Sequence, residues 1–62
     1  MNEVRVNFGA SDWQIGMTIQ EFEELYRHAD GEFITLPILF GGQPHSTIKI
    51  RPSQIRYYYE QL

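Results

Sequence analysis

The sequence contains no cysteine and only two histidines among its 62 residues. It can therefore form no disulfide, and it offers no Cys/His cluster with the spacing of a structural metal site. A chain of this length buries only about 60% of the surface that its unfolded form exposes, which leaves a narrow margin of stability. Because small domains without cross-links often gain stability by association, we expect a homo-oligomer. We also expect no metal and no cofactor.

Basic residues are also scarce. Five Lys and Arg stand against eight Asp and Glu, which gives a net charge of −3. General affinity for nucleic acid depends on many contacts between basic side chains and phosphates, so this balance disfavours nucleic-acid binding. The charge is uneven: six acids and two bases give −4 over residues 1–31, and two acids and three bases give +1 over residues 32–62.

Long apolar runs are missing as well. No stretch is long enough to span a bilayer, and the first residues lack the pattern of a signal peptide. We therefore expect a cytoplasmic protein that makes no contact with membranes.

The sequence shows no catalytic motif. Ser11, Ser46 and Ser53 occupy turn or strand positions without a nucleophile elbow around them. Gly41 and Gly42 are followed by a proline and a strand, whereas a phosphate-binding loop continues with Lys and Ser/Thr before a helix. We therefore expect that the protein is not an enzyme.

One segment has helical periodicity and is predicted to form a helix over residues 18–30. Thr18 and Glu21 have the spacing of a capping box, and Gly31 is suited to end the helix in the left-handed conformation. The apolar side chains recur at intervals of three and four: Ile19, Phe22, Leu25, Tyr26 and Ala29. Because a helix this short is marginal alone in water, it is expected to pack on a sheet.

The remaining segments alternate as strands do. Strands are predicted at about residues 3–8, 13–15, 33–40, 46–51 and 55–60. The first two are expected to form a hairpin, and the runner-up interpretation is that residues 9–16 form one loop. The order β(β)αβββ predicts an α+β fold with a single domain over residues 1–62. We expect one helix packed on a strongly bent antiparallel sheet or a small open barrel, with the last three strands in a meander.

The strand at residues 33–40 is apolar on both faces, with only Thr35 polar. Such a strand lies either in the centre of a covered sheet or at a subunit contact. Pro37 cannot donate a backbone hydrogen bond, which favours an edge strand, although a bulge in a central strand would explain it as well. The edge interpretation predicts an oligomer interface formed by Phe33, Pro37 and Leu39.

The last strand combines tyrosines with basic residues. Alternation predicts Ile55, Tyr57 and Tyr59 on the core face and Arg56 with Tyr58 on the outer face. An aromatic ring beside a guanidinium is typical of protein hot spots and of surfaces that stack a base. The lone Trp either covers the core or anchors an interface, and the glycine-rich loop adds further polar side chains. The predicted ligand or partner residues are Trp13, Gln43, His45, Lys49, Arg51, Arg56 and Tyr58.

The final third of the chain resembles the ending of many very short, uncharacterised proteins of bacteriophages and Gram-positive mobile elements. The resemblance lies in the run from Ile48 to Ile55, which reads I-x-I-x-P-S-x-I, and in the aromatic strand that follows it. It implies no specific activity and no functional residues. It implies a phage accessory protein, whose usual work in the host cytoplasm is to block a host factor or sequester a small host molecule.

Two functional hypotheses follow. In the first, the protein is a non-enzymatic homo-oligomer that binds a host protein. In the second, it sequesters a small nucleotide-type ligand in a pocket between subunits, where the glycine loop, the basic residues and the tyrosines would meet.

Overall fold

One face of a five-stranded antiparallel sheet is covered by a helix in the computed structural model, which describes residues 3–62. Residues 1 and 2, which the single-domain prediction includes, lie outside this range. The elements in chain order are β1 (Glu3–Asn7), β2 (Asp12–Ile15), α1 (Ile19–Arg27), β3 (Ile34–Phe40), β4 (Gln43–Ile50), a 3-10 turn (Pro52–Gln54) and β5 (Tyr57–Gln61). The described part of the chain contains no helix that is long and apolar enough to cross a membrane.

The strands are arranged in the order β4-β3-β2-β1-β5, and the sheet is open. The α+β prediction is confirmed, and so is the hairpin of β1 with β2, in which Val4 lies opposite Ile15. The predicted meander of the last three strands is wrong, because β5 pairs with β1 at the far edge of the sheet. The 3-10 turn and Ile55, which is buried in the core, carry the chain from one edge to the other.

The prediction that residues 33–40 form an edge strand is also wrong, because β3 lies between β2 and β4. The Pro37 carbonyl accepts a 2.9 Å hydrogen bond from the backbone N–H of Gly16, just past the end of β2. In an antiparallel strand the N and C=O of one residue point to the same side. The missing N–H of Pro37 therefore falls where the β2–β3 ladder ends. On the other side of β3, the pairing with β4 shifts its register between Ile38 and Leu39.

The helix is shorter than predicted, but its start is confirmed. The Thr18 hydroxyl accepts from the backbone N–H of Glu21 at 3.1 Å, and the Glu21 carboxylate accepts from the backbone N–H of Thr18 at 2.9 Å. Thr18 is the N-cap, so the helix proper begins one residue later. At the other end, Asp30 and Gly31 have φ values of 51° and 78°, which are incompatible with a continuing right-handed helix.

The core lies between the helix and the inner face of the sheet, with Phe22 fully buried at its centre. Tyr58 packs edge-on against Phe22, with the ring centroids 4.7 Å apart. The predicted alternation of the last strand is therefore correct for Ile55 but wrong for the tyrosines: Tyr58 faces inward, and Tyr57 and Tyr59 face outward. The reason is that β5 begins only at Tyr57, after the 3-10 turn, so the alternation does not run continuously from Ile55.

Candidate functional site

The sheet face opposite the helix, called here the uncovered face, presents a group of polar and aromatic side chains. Residues that lie directly opposite each other on neighbouring strands point to the same face. The register places two rows of three residues on this face, across β2, β1 and β5: Gln14–Arg5–Tyr59 and Asp12–Asn7–Tyr57. Val4 and Val6, which alternate with Arg5 and Asn7 along β1, point into the core.

Asp12 connects these strands through three hydrogen bonds. Its Oδ1 accepts from Asn7 Nδ2 at 2.8 Å and from the Tyr57 hydroxyl at 2.9 Å. Its Oδ2 accepts from the Tyr59 hydroxyl at 2.8 Å. We call Asp12, Asn7, Tyr57 and Tyr59 the Asp12 network. It ties the edge strand β5 to the start of β2, with β1 between them.

These hydrogen bonds set the protonation states of the network. The bond from Asn7, followed by those from Tyr59 and Tyr57, lowers the pKa of Asp12 below its usual value of 3.8. The same bonds to Asp12 are the main reason that the pKa values of Tyr57 and Tyr59 are raised above 10.0. At neutral pH the network is therefore one carboxylate held by two neutral phenols and an amide.

The two tyrosine rings remain accessible although their hydroxyls are held. Tyr57 is 51% exposed and Tyr59 is 37% exposed. The rings stack on each other, with centroids 6.3 Å apart and planes inclined by 28°. Exposed aromatic surface whose rotamers are fixed by hydrogen bonds loses little conformational entropy when a partner covers it.

Two buried polar atoms lie on the same face. Within residues 3–62, neither Asn7 Oδ1 nor Arg5 Nε has a hydrogen-bond partner, although Asn7 is only 5% exposed. The Arg5 Nη2 atom donates to the Glu3 carboxylate at 2.9 Å, so the guanidinium is already paired in part. An acceptor and a donor thus remain unused beside the Asp12 network.

A surface cleft of about 440 Å³ adjoins the network. Its walls include Glu3, Arg5, Asp12 and Gln14 from the uncovered face, and Gly41-Gly42 from the turn between β3 and β4. Both glycines have positive φ, which the tight turn requires. The volume suits a small ligand, but two carboxylates against one guanidinium disfavour a phosphate.

The structure does not bring the predicted binding residues together. Lys49 lies on β4, at one edge of the sheet. Tyr58 lies on β5 at the other edge, and Arg56 lies just before β5. The Arg51 guanidinium lies 4.8 Å from the centre of the Phe33 ring, so these two residues, which were predicted for different contacts, form a cation–π pair. Tyr58 is packed on the core and its hydroxyl donates to Glu23 at 3.2 Å, so the predicted outward pair of Arg56 and Tyr58 is not formed.

Gln43 and His45 belong to β4, whereas the sequence placed them in the glycine-rich loop, and only Gly41 and Gly42 form the turn. His45 Nδ1 lies 3.1 Å from Ser46 Oγ, and its ring lies 5.9 Å from that of Phe40. His45 and Ser46 are exposed, so water solvates both groups. A nucleophilic serine needs a base that is shielded and oriented, and this arrangement supplies neither.

The sequence left two roles open for Trp13, a cover for the core or an interface anchor, and the second stays a prediction. Trp13 lies opposite Val6 on the helix-covered face and stacks on Phe8, with ring centroids 6.3 Å apart, and Phe8 packs against the core. It is nevertheless 40% exposed and also lines the cleft. Pro37 and Leu39 lie half-buried on β3, and their role in an oligomer interface stays a prediction.

The most organised group on the surface was not predicted from the sequence: Arg5, Asn7, Asp12, Tyr57 and Tyr59. Asp12 lies in a segment with the composition of an ordinary turn, and the two tyrosines that donate to it are distant in the chain. The one usable signal was the alternation of Arg5 and Asn7 with two buried valines, which indicates a polar outer face.

Comparison of the chain with protein-family models, with curated proteins and with solved structures finds no match. The site must therefore be interpreted from its own geometry.

Proposed function

We propose that the protein is a non-enzymatic binding protein that holds another protein on its uncovered face, with Tyr57 and Tyr59 at the centre of the contact. The observation that carries this proposal is the Asp12 network, which fixes two exposed tyrosine rings by their hydroxyls. Tyrosine is enriched at binding hot spots because it buries a large rigid surface and keeps a polar tip.

The chemistry of Asp12 supports binding rather than catalysis. A general base works best with a pKa near the operating pH, whereas the three hydrogen bonds lower the pKa of Asp12. A carboxylate that is already stabilised in this way abstracts protons poorly. Its role is to orient the two phenols.

The charge of the surface indicates the kind of partner. Glu3 and Arg5 pair with each other, which leaves Asp12 as the net charge at the centre of the site. The partner is therefore expected to present an apolar or planar group against the rings, and a neutral or basic rather than an acidic rim.

Site-directed photo-cross-linking tests the proposal. A photoreactive phenylalanine at Ser11, which lines the cleft beside Asp12, is expected to cross-link a partner in lysate of the source cell. The same group at Glu24, an exposed position on α1, serves as the matched control. Products of twice the 7.3 kDa chain mass are self-cross-links and are not counted.

The Ser11 product is expected to disappear when Tyr57→Ala and Tyr59→Ala are added, and to persist with Lys49→Ala on β4. Equal cross-linking from Ser11 and Glu24, or a product that survives the loss of both tyrosines, would contradict the proposal.

The cleft favours a second candidate, a small ring-bearing ligand such as a nucleobase or nucleoside. A ligand present at 100 times its Kd stabilises the fold by about 2.7 kcal/mol, which thermal unfolding detects readily. Nucleosides are expected to stabilise more than the matching nucleotides, because the cleft carries two carboxylates. A thermal shift that grows with added phosphates would contradict this version.

The broader expectation of a phage accessory protein that blocks a host factor stays a prediction, as does its cytoplasmic location.

A further inference from the structure

The two edges of the sheet differ in their protection against pairing with another strand. The β4 edge contains Pro44 and Lys49, and its pairing with β3 includes a register shift. Proline, lysine and bulges are the features by which natural proteins block edge pairing. The β5 edge, Tyr57–Gln61, has no proline, no lysine and five consecutive pairs with β1 in one register. Among the described strands, β5 is therefore the open edge.

The sequence of β5 is complementary to itself in one antiparallel register. With a two-fold axis at Tyr59, this residue lies opposite its own copy, Tyr57 lies opposite Gln61, and Tyr58 lies opposite Glu60. No like charges face each other in this register. An axis at Glu60, or a parallel arrangement in register, would place the two Glu60 carboxylates opposite each other, which is unfavourable.

Residues that flank β5 add to this complementarity. Continued past the strand ends, the register brings Leu62 opposite Arg56 of the second copy. Leu62 is 92% exposed, and the hydrocarbon stem of an arginine can cover such a side chain. Arg56 also becomes the diagonal neighbour of the second copy's Glu60, and opposite charges in diagonal positions attract. The two-fold axis produces each of these contacts twice.

We propose that β5 pairs with β5 of a second copy around a two-fold axis at Tyr59, which joins two five-stranded sheets into one of ten strands. The uncovered faces of the two copies become continuous, and Tyr57 and Tyr59 of both copies form one strip between the two Asp12 carboxylates. The occupant of this edge is a second copy because Arg56, just before β5, carries the charge opposite to that of Glu60 in β5, and the two-fold axis brings these residues of different copies together. The inference does not depend on the proposed function, since the dimer forms whether or not a partner covers the tyrosines.

A single cysteine tests the register, because the chain has no cysteine of its own. Directly opposed residues in antiparallel strands have Cα atoms about 4.5–5.5 Å apart, which a disulfide can bridge. Tyr59→Cys is therefore expected to form a covalent dimer under mild oxidation. Gln61→Cys is the matched control, because its two copies would lie four residues out of register, about 13 Å apart along the strands.

Disulfide formation by Tyr59→Cys and not by Gln61→Cys supports the proposal. Equal cross-linking of the two variants would overturn it, and so would the absence of a covalent dimer from Tyr59→Cys while circular dichroism shows that the variant is folded.

A charge swap tests the interface without altering the Asp12 network. Light scattering is expected to give the wild-type protein twice the 7.3 kDa chain mass. Glu60→Lys places a like charge diagonally across from Arg56 of the second copy, and we expect the dimer to weaken about ten-fold, which corresponds to about 1.4 kcal/mol. Adding Arg56→Glu restores the opposite charges and is expected to restore the dimer.

Lys49→Glu, on the other edge of the sheet, is the control and is expected to leave the mass unchanged. A wild-type monomer at all concentrations would overturn the proposal. A dimer that is unaffected by Glu60→Lys but is lost in Lys49→Glu would also overturn it, and would indicate pairing through β4. A strand of a different protein found on β5 in place of the second copy counts against it in the same way.

Discussion

Tyr59 donates a 2.8 Å hydrogen bond to Oδ2 of Asp12, a residue that lies 47 positions earlier in the chain. The two residues belong to β5 and β2, which are separated by β1. Two strand spacings amount to about 9.6 Å, so the tyrosine side chain must lie across β1 to reach the carboxylate. Tyr57, two residues earlier on β5, also donates to Asp12 across β1, and Asn7, which lies between them on β1, is only 5% exposed.

Acid is expected to weaken the fold partly through Asp12. Its pKa is lowered in the folded protein, so the contribution of Asp12 to stability is complete above its unfolded value of 3.8 and is lost as the pH falls through the lower folded value. Asp12→Asn removes this contribution. The urea midpoint of the variant is expected to lie below that of the wild type at neutral pH and to converge with it in acid.

Asp30→Asn is the control for this experiment, because Asp30 lies in the turn after α1, and asparagine tolerates its positive φ. This variant is expected to have nearly the same urea midpoint as the wild type at neutral pH. A constant difference between Asp12→Asn and the wild type from neutral pH into acid would contradict the role assigned to the carboxylate.

Alkali is expected to weaken the same hydrogen bonds by deprotonating their donors, the hydroxyls of Tyr57 and Tyr59. The folded pKa values of Tyr57 and Tyr59 are raised, so their contribution to stability is complete below their usual value of 10.0 and is lost as the pH rises through the folded values. In Asp12→Asn, residue-resolved NMR titration of the tyrosines is expected to show both pKa values falling back towards 10.0.

Tyr58 provides an internal reference for that titration. Its pKa is raised mainly by burial and secondarily by the hydrogen bond to Glu23, so Asp12→Asn should leave it unchanged. A shift of all three tyrosines together would indicate a general loosening of the sheet and would count against a specific Asp12 network.

The features that could be predicted from the sequence depend on neighbours in the chain. The capping box of Thr18 with Glu21 spans four residues, and the alternation of Val4 and Val6 with polar residues spans five. The strand positions and the α+β class follow from such local patterns. Each pattern carries its own physical signal, because a cap needs an oxygen at a fixed spacing and a half-covered strand needs period two.

The features that were missed depend on contacts between distant segments. Nothing in residues 43–61 indicates locally that β5 leaves β4 and pairs with β1, since both strands would suit a hairpin. Because the 3-10 turn precedes β5, the alternation of β5 does not continue from Ile55. Tyr58 therefore faces the core, whereas Tyr57 and Tyr59 were predicted to do so. Asp12 reads as a turn residue because its hydroxyl donors lie 45 and 47 positions away.

The N-cap of α1 gives a direct test of helix stability. Thr18→Ala removes the side-chain oxygen that accepts from the Glu21 N–H, and is expected to cost about 1 kcal/mol in the free energy of unfolding. Thr18→Ser keeps this oxygen and is expected to retain most of the stability. Equal losses for the two variants, measured by urea unfolding, would show that the threonine methyl group matters and the cap does not.

The alternation of the last strand is tested by comparing its tyrosines. The Tyr58 ring packs against those of Phe22 and Tyr26, with centroids 4.7 Å and 5.5 Å apart. Tyr58→Ala is therefore expected to lower the free energy of unfolding by about 3 kcal/mol, as large-to-small changes in cores do. For a domain of this size that is on the order of half of the total stability.

Tyr57→Ala loses an exposed ring and one exposed hydrogen bond, and is expected to destabilise the fold much less than Tyr58→Ala. Tyr58→Phe keeps the packed ring and loses only the hydroxyl contact with Glu23, so it should also cost less than about 1 kcal/mol. Denaturant unfolding measures the loss in the free energy of unfolding for each of the three variants, and the comparison shows which tyrosine faces the core. A larger loss for Tyr57→Ala than for Tyr58→Ala would restore the original prediction that Tyr57 faces the core. It would also remove the exposed tyrosine pair on which the proposed binding surface depends.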